Sequence, residues 1–241
     1  MPTQEIRAFY QKDANVNKDA ICEIDFVIHR SYTEACKNTE KFDYIISSHV
    51  LEHMPRLIEF FQDTVNILNT HGKMYIFLPD CRYCFDHFRS PTSFAELYYI
   101  HTQGLEFAPW QVLDFSNMCV PLNDPKIFST NKRLFSLLTK RTSFANAKAS
   151  FEKALEGKFV AVHFSTFTPQ SFLLLLHEMI RAGFFPYKLV NFFPTPKNDY
   201  TFGIVLEACP ELPDSAELSE QEMNKARRMM IQLVDYEESL K

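Results

Sequence analysis

Apolar residues gather into short unbroken runs at several places in the chain and recur three and four positions apart at others. The run FDYIISS (42–48) is continuous rather than alternating, as expected of a strand with both sheet faces covered. The runs IDFVI (24–28) and KMYIFL (73–78) read as further strands, the second closed by Pro79. Residues 55–69 (PRLIEFFQDTVNILN) place Leu57, Ile58, Phe61, Val65 and Leu68 on one helical face, and His71-Gly72 ends that helix, with Gly72 as its C-terminal stop. Strand, helix and strand with short joints make a βαβ unit. The strands at 42–47 and 73–78 are therefore expected side by side and parallel, with a right-handed crossover.

Around this unit, residues 5–11 read as a short helix and 31–39 as a helical or irregular crossover. The stretch 80–163 has no strand pattern. It offers helices near 92–103 and 132–155 around a Pro-containing loop (APWQVLDFSNMCVPLNDP), and reads as an insertion over the sheet. Thr168-Pro169 opens a helix, Thr as N-cap and Pro at the first position, running to Gly183. Strands at 187–193 and 200–206, joined by PTPKND, form an expected antiparallel pair. After a break at 210–214, a charged amphipathic helix at 219–238 carries Met223, Met229, Met230, Leu233 and Val234 on its apolar side. This divides the chain into a partial α/β domain over 1–210 and a C-terminal helical tail over 211–241.

Composition narrows the function classes. A net charge of −5 with no long run of like charge excludes a nucleic-acid groove. No apolar run approaches the roughly 20 residues that cross a bilayer, and MPTQEIRAFYQKDANVNKD has no apolar signal core, so no membrane span and a cytoplasmic location are expected. The six cysteines are scattered, which favours free thiols over disulfides. Glycine is the most telling count: there are five, where ordinary usage gives roughly 17. No two lie close enough for GxGxxG or a phosphate loop, so the close backbone wrap that such loops make is missing.

Two polar clusters follow the two parallel strands, at the strand ends where ligands bind in open parallel sheets. The first is Ser47, Ser48, His49, Glu52 and His53; it either lines a crevice or merely caps and starts the next helix. The second is Asp80, Arg82, Tyr83, Asp86 and Arg89; it either faces the same crevice or forms an ion-pair network that pins the insertion, and the residues favour the network. Cys81-x-x-Cys84 with His87 nearby lacks the second ligand pair that zinc normally takes, so no metal is expected there. Arg82 is the only evident activator for either thiol. His163, with Thr166 and Thr168, either points into the crevice or packs and caps.

FDYIISSHVLEHM followed by GKMYIFLPD resembles the class I S-adenosylmethionine-dependent methyltransferases, in which an FD-x-hydrophobic strand leads into a VLEH-type turn and a helix. The longer string SSHVLEHMP…LPDCRYCFDHFRSPTS is similar to a bacterial subgroup with SHVLEH and PDxRYxFD motifs, found attached to or near glycosyltransferases of surface polysaccharides. The resemblance spans roughly residues 5–208 and implies an incomplete Rossmann-like class I methyltransferase fold. Its fourth and fifth strands would lie at 42–47 and 73–78 and its sixth and seventh at the C-terminal pair; the first strands, with the glycine loop, would be missing. It implies S-adenosylmethionine as a cofactor held weakly or not at all, with Asp25 and Phe26 near the adenine and Ser48 and His49 near the methionine portion. His49, Asp80 and Arg82 are the catalytic candidates, Asp80 and Arg82 lining the side of a small-molecule or glycan acceptor. A glycosyltransferase or a second copy of the chain is the implied partner. In the family the fourth strand sits beside the first, so the edge at 42–47 should be open and self-association is expected.

Overall fold

The computed structural model describes residues 2–11, 13–14, 16–29, 31–121 and 135–240, Lys140 by its backbone only. The chain forms two compact units, residues 1–41 and 42–241. The first holds helices α1 (Thr3–Phe9) and α2 (Tyr32–Ala35). Arg7 donates to the Ile21 carbonyl at 3.0 Å and pairs with Glu23 at 2.9 Å. The strand expected at 24–28 does not form. The Ile24 N–H donates to the Thr3 hydroxyl at 2.8 Å rather than to a neighbouring strand, and Ile24 and Ile28 are exposed. A β-branched run becomes a strand only where a ladder takes its backbone groups, and the described residues of this unit supply none.

The second unit is an α/β structure around a mixed four-stranded sheet: β1 (Phe42–Ser48), β2 (Leu68–Pro79), β3 (Tyr187–Phe193) and β4 (Thr201–Ala208) in the order β1-β2-β4-β3. β1 and β2 are parallel neighbours, with Tyr44 opposite Lys73 and Ser48 opposite Phe77. β4 runs antiparallel to both β2 and β3. Helix α3 (Leu57–Thr64) makes the crossover, with Leu57, Ile58, Phe60 and Phe61 buried. It stops sooner than the periodicity suggests, because the chain is already extended at Leu68. Gly72 is therefore no helix stop. It lies in a bulge where β1 advances from Phe42 to Tyr44 while β2 advances from Leu68 to Lys73. His71 takes the positive φ of 62°, and a Cβ on Gly72 would meet the Asn69 carbonyl oxygen at 2.8 Å.

One face of the sheet is covered and the other partly bare. Met74, Ile76 and Leu78 of β2 are buried with Leu189, Phe202, Ile204 and Leu206. Their neighbours on the opposite face are not: Tyr44 is 65 % and Ile46 68 % exposed, and Phe77 is also exposed. The expectation that both faces of 42–48 are covered thus fails, although its apolar run does form the strand. β1 is an edge strand, with β2 its one neighbour among the described residues.

The inserted stretch carries α4 (Phe94–Thr102), α5 (Pro109–Met118) and α6 (Phe144–Leu155). α5 occupies much of the segment expected to be a loop; Pro109 starts that helix rather than breaking it. Of the helix expected at 132–155, residues 132–134 lie outside the described residues, and the α-helical part begins at Phe144. α5 and α6 enclose Val112, Ala154, Val162 and Phe164. α7 (Pro169–Arg181) starts as expected, with the Thr168 hydroxyl accepting from the Ser171 N–H at 3.1 Å. α8 (Ala216–Ser239) packs on α7 and β3, where the Glu222 carboxylate accepts from the Leu189 N–H at 2.7 Å. No helix among the described residues is long and apolar enough to cross a membrane.

Candidate functional site

Parallel pairing of β1 and β2 brings both polar clusters to the same end of the sheet. The chain leaves β1 through His49, whose positive φ of 52° turns it out of the strand while its N–H still reaches the Phe77 carbonyl at 3.0 Å. Ser48 is exposed and His49 half-buried. The His49 Nε2 lies 3.3 Å from the Thr201 hydroxyl, and its ring packs beside Tyr200. Burial, reinforced by the charge of His163, lowers the His49 pKa, against a smaller opposing effect of Asp199.

A short helical turn, Leu51–His53, then drives Glu52 inward. Glu52 is 1 % exposed. Its Oε1 stands 3.6 Å from His49 Nδ1, while its Oε2 has no hydrogen-bond partner. Burial raises the Glu52 pKa. The neighbouring His53 remains exposed, with Nδ1 3.0 Å from the Val162 carbonyl. Burial lowers its pKa, the Val162 hydrogen bond opposing.

Residues 162–167 return along this end of the sheet. The Ser165 N–H donates to the Glu52 carbonyl at 3.0 Å and the Thr166 N–H to the Thr92 hydroxyl at 3.0 Å. This delivers His163 to His53, the rings meeting edge to face at 4.6 Å. His163 Nδ1 lies 2.6 Å from Asp86 Oδ2. Asp86 also accepts from Arg89 at 2.9 Å, and Arg89 donates to Asp114 at 2.7 Å. Burial would raise the Asp86 pKa, but His163 and Arg89 hold it below the usual range.

The second cluster is closed. Asp80 is 0 % exposed. Its oxygens accept from the Arg82 N–H at 3.1 Å, from the Arg82 guanidinium at 2.6–3.1 Å, and from the Thr195 hydroxyl at 2.8 Å. Arg82 also reaches Glu237 of α8 at 2.8 Å. Asp80 and His49 thus lie at the same end of the sheet, yet Asp80 opens onto no cleft. Of the two alternatives for Asp80 and Arg82, the arrangement is the ion-pair network. Cys81 and Cys84 are free and buried; burial pushes Cys81 up to about 12 and Cys84 well above its ordinary value, so neither is a thiolate nucleophile. His87 Nδ1 lies 2.6 Å from the Arg82 carbonyl, which fixes the turn.

Asp25 and Phe26 belong to the 1–41 unit, in the segment that forms no strand, with Asp25 exposed. Ser48 and His49 stand in the 42–241 unit at the end of β1. The convergence of Glu52 and His53 with His163 and Asp86 is not visible as a motif, since 109 positions separate His53 from its acceptor Val162. The signal that could have raised it is His163 ending the apolar run FVAV just before the turn into α7. The chain matches no protein-family model, no curated protein and no solved structure.

Proposed function

We propose that the 42–241 unit is the acceptor-side half of an S-adenosylmethionine-dependent methyltransferase whose own cofactor site is incomplete, acting in surface-glycan or small-molecule modification. The observation that carries this reading is the sheet: a parallel pair, β1 and β2, continuing into an antiparallel pair, β4 and β3. That arrangement is what the resemblance of FDYIISSHVLEHM and GKMYIFLPD to the family's fourth and fifth strands requires. The outer edge of β1, unpaired by any strand among the described residues, supports it as well, because the family's first strand belongs there. Methyl transfer asks chiefly for alignment of acceptor and sulfonium. Ser48 and His49, reachable at the end of β1, are the residues proposed to face the methionine portion.

Calorimetric titration of the full chain with S-adenosylmethionine tests the proposal. A dissociation constant in the micromolar range is expected if the cofactor is retained; no heat at millimolar ligand overturns that part. A second reading, a non-catalytic module that docks a glycosyltransferase or a second copy, is favoured by the outer edge of β1, which pairs with no strand among the described residues, and by the exposed Tyr44 and Ile46 beside it. Light scattering over a concentration series, on wild type and Ile46→Lys, tests self-association: a concentration-dependent oligomer abolished by the lysine supports it, and a monomer in both contradicts it.

A further inference from the structure

We propose that Glu52, His53 and His163 bind one divalent transition-metal ion of the zinc class. This does not rest on methyl transfer and holds whether or not the chain takes S-adenosylmethionine. Each of the three residues offers a ligand atom within 4.8 Å of the other two. The protonation of both imidazoles is set by their partners. The Val162 carbonyl and the Asp86 carboxylate face the Nδ1 atoms of His53 and His163 at 3.0 and 2.6 Å. Both partners accept, so each Nδ1 carries a proton, and Nε2 is the nitrogen each ring turns to a metal once it binds in its neutral form. A histidine whose far nitrogen donates to a carboxylate or carbonyl is the usual form of a metal-bound imidazole. Arg89, itself held by Asp114, fixes Asp86 in that supporting position.

The carboxylate is equally prepared. Glu52 is almost wholly buried and its Oε2 has no hydrogen-bond partner, so the desolvation of that oxygen is not offset by a hydrogen bond until a cation or a donor arrives. Every oxygen of Asp80, by contrast, is spoken for. Two imidazoles and one carboxylate suit zinc and its first-row neighbours rather than calcium or magnesium, which prefer oxygen throughout. Three protein ligands leave at least one coordination position for water or an oxygen of a bound molecule. The exposed side of His53 gives that position access to solvent. Ligand atoms around a tetrahedral zinc lie about 3.4 Å apart, so binding draws the set inward, with the exposed His53 ring the freest to move.

The test is titration of chelator-stripped full chain with Zn²⁺ by calorimetry, and with Co²⁺ by visible absorption. One ion per chain is expected, with d–d bands of a nitrogen–oxygen site and no sulfur-to-cobalt charge-transfer band. His53→Ala, on an exposed residue where folding is not at stake, should weaken Zn²⁺ binding by at least about tenfold, and Asp86→Asn, which removes a positioning residue, by about 10- to 100-fold. Circular dichroism confirms that each variant is folded. No saturable Zn²⁺ binding by wild type, unchanged affinity in folded His53→Ala, or a charge-transfer band showing that the free cysteines hold the ion would each overturn the proposal.

Discussion

Asp80 and Glu52 are both carboxylates buried beyond the ends of neighbouring parallel strands, and their surroundings differ in one respect. Asp80 accepts from Arg82 and Thr195 and, through Arg82, is tied to Glu237 on α8. Glu52 has its own backbone N–H and a distant His49 beside it, and no hydrogen-bond partner on Oε2. A buried polar group with all its partners holds the fold together; one left without a partner weakens the fold and persists where a ligand completes it. The same strand ends therefore carry a structural network on β2 and a candidate site on β1. Glu59 of α3 stands between these extremes: its Oε1 takes both Arg56 and His101 at 3.0 Å, while its Oε2 has no partner.

The largest effect is expected at the finished cluster. Asp80→Ala leaves the Arg82 guanidinium with Glu237 alone and takes the acceptor from the buried Thr195 hydroxyl, and should cost about 1–3 kcal/mol in urea unfolding. A loss below about 1 kcal/mol would mean that the network does not hold the fold and would erase the contrast. At the intermediate residue, the Glu59 pKa lies below its ordinary value: burial would raise it, but hydrogen bonds from its backbone, His101 and Arg56 outweigh that. A depressed carboxyl pKa stabilises the fold above the unfolded pKa of about 4.3 and loses that contribution as pH falls through the folded value. Glu59→Gln should therefore be less stable than wild type near neutral pH by under about 1 kcal/mol, since the pair is partly solvated, and the difference should vanish below about pH 4. A gap that widened in acid would reverse the assigned sign. The smallest effect belongs to Glu52→Gln in metal-free protein, expected within about 1 kcal/mol of wild type and on the stabilising side, because it removes a buried carboxylate whose desolvation outweighs its favourable contacts. A loss comparable to Asp80→Ala would show that Glu52 is structural after all.

The legible parts of the molecule were those whose cause is local. FDYIISS, KMYIFL and the two C-terminal runs become strands because each is apolar, bounded by turn or loop residues, and lies against a neighbour. Thr168-Pro169 marks a helix start through side-chain and ring geometry that acts within a single turn. IDFVI carries the same composition and misleads, because a strand also needs a partner that its own residues cannot specify. Gly72 misleads for a related reason: glycine serves close approach as well as helix termination, and only the register of β1 on β2 tells which. The Asp80–Arg82 pair was readable from a spacing of two residues. Glu52 and His53 stand together in the chain after a strand end, but the pairing of His163 with them depends on how the inserted stretch returns to the sheet, through hydrogen bonds such as Thr166 to Thr92. Long-range closure of that kind leaves no pattern in the chain.

The contrast between a completed and an uncompleted carboxylate is tested most directly by thermal unfolding with and without Zn²⁺. A ligand that binds only the folded state adds about 2.7 kcal/mol at 100 times its dissociation constant. Wild type should melt at a higher temperature with Zn²⁺ than after chelation, Glu52→Gln and His53→Ala should show a markedly smaller shift, and a folded variant at the Asp80 network, such as Thr195→Val, should keep the full wild-type shift. An equal shift in Glu52→Gln and wild type, or none in any protein, would contradict the account.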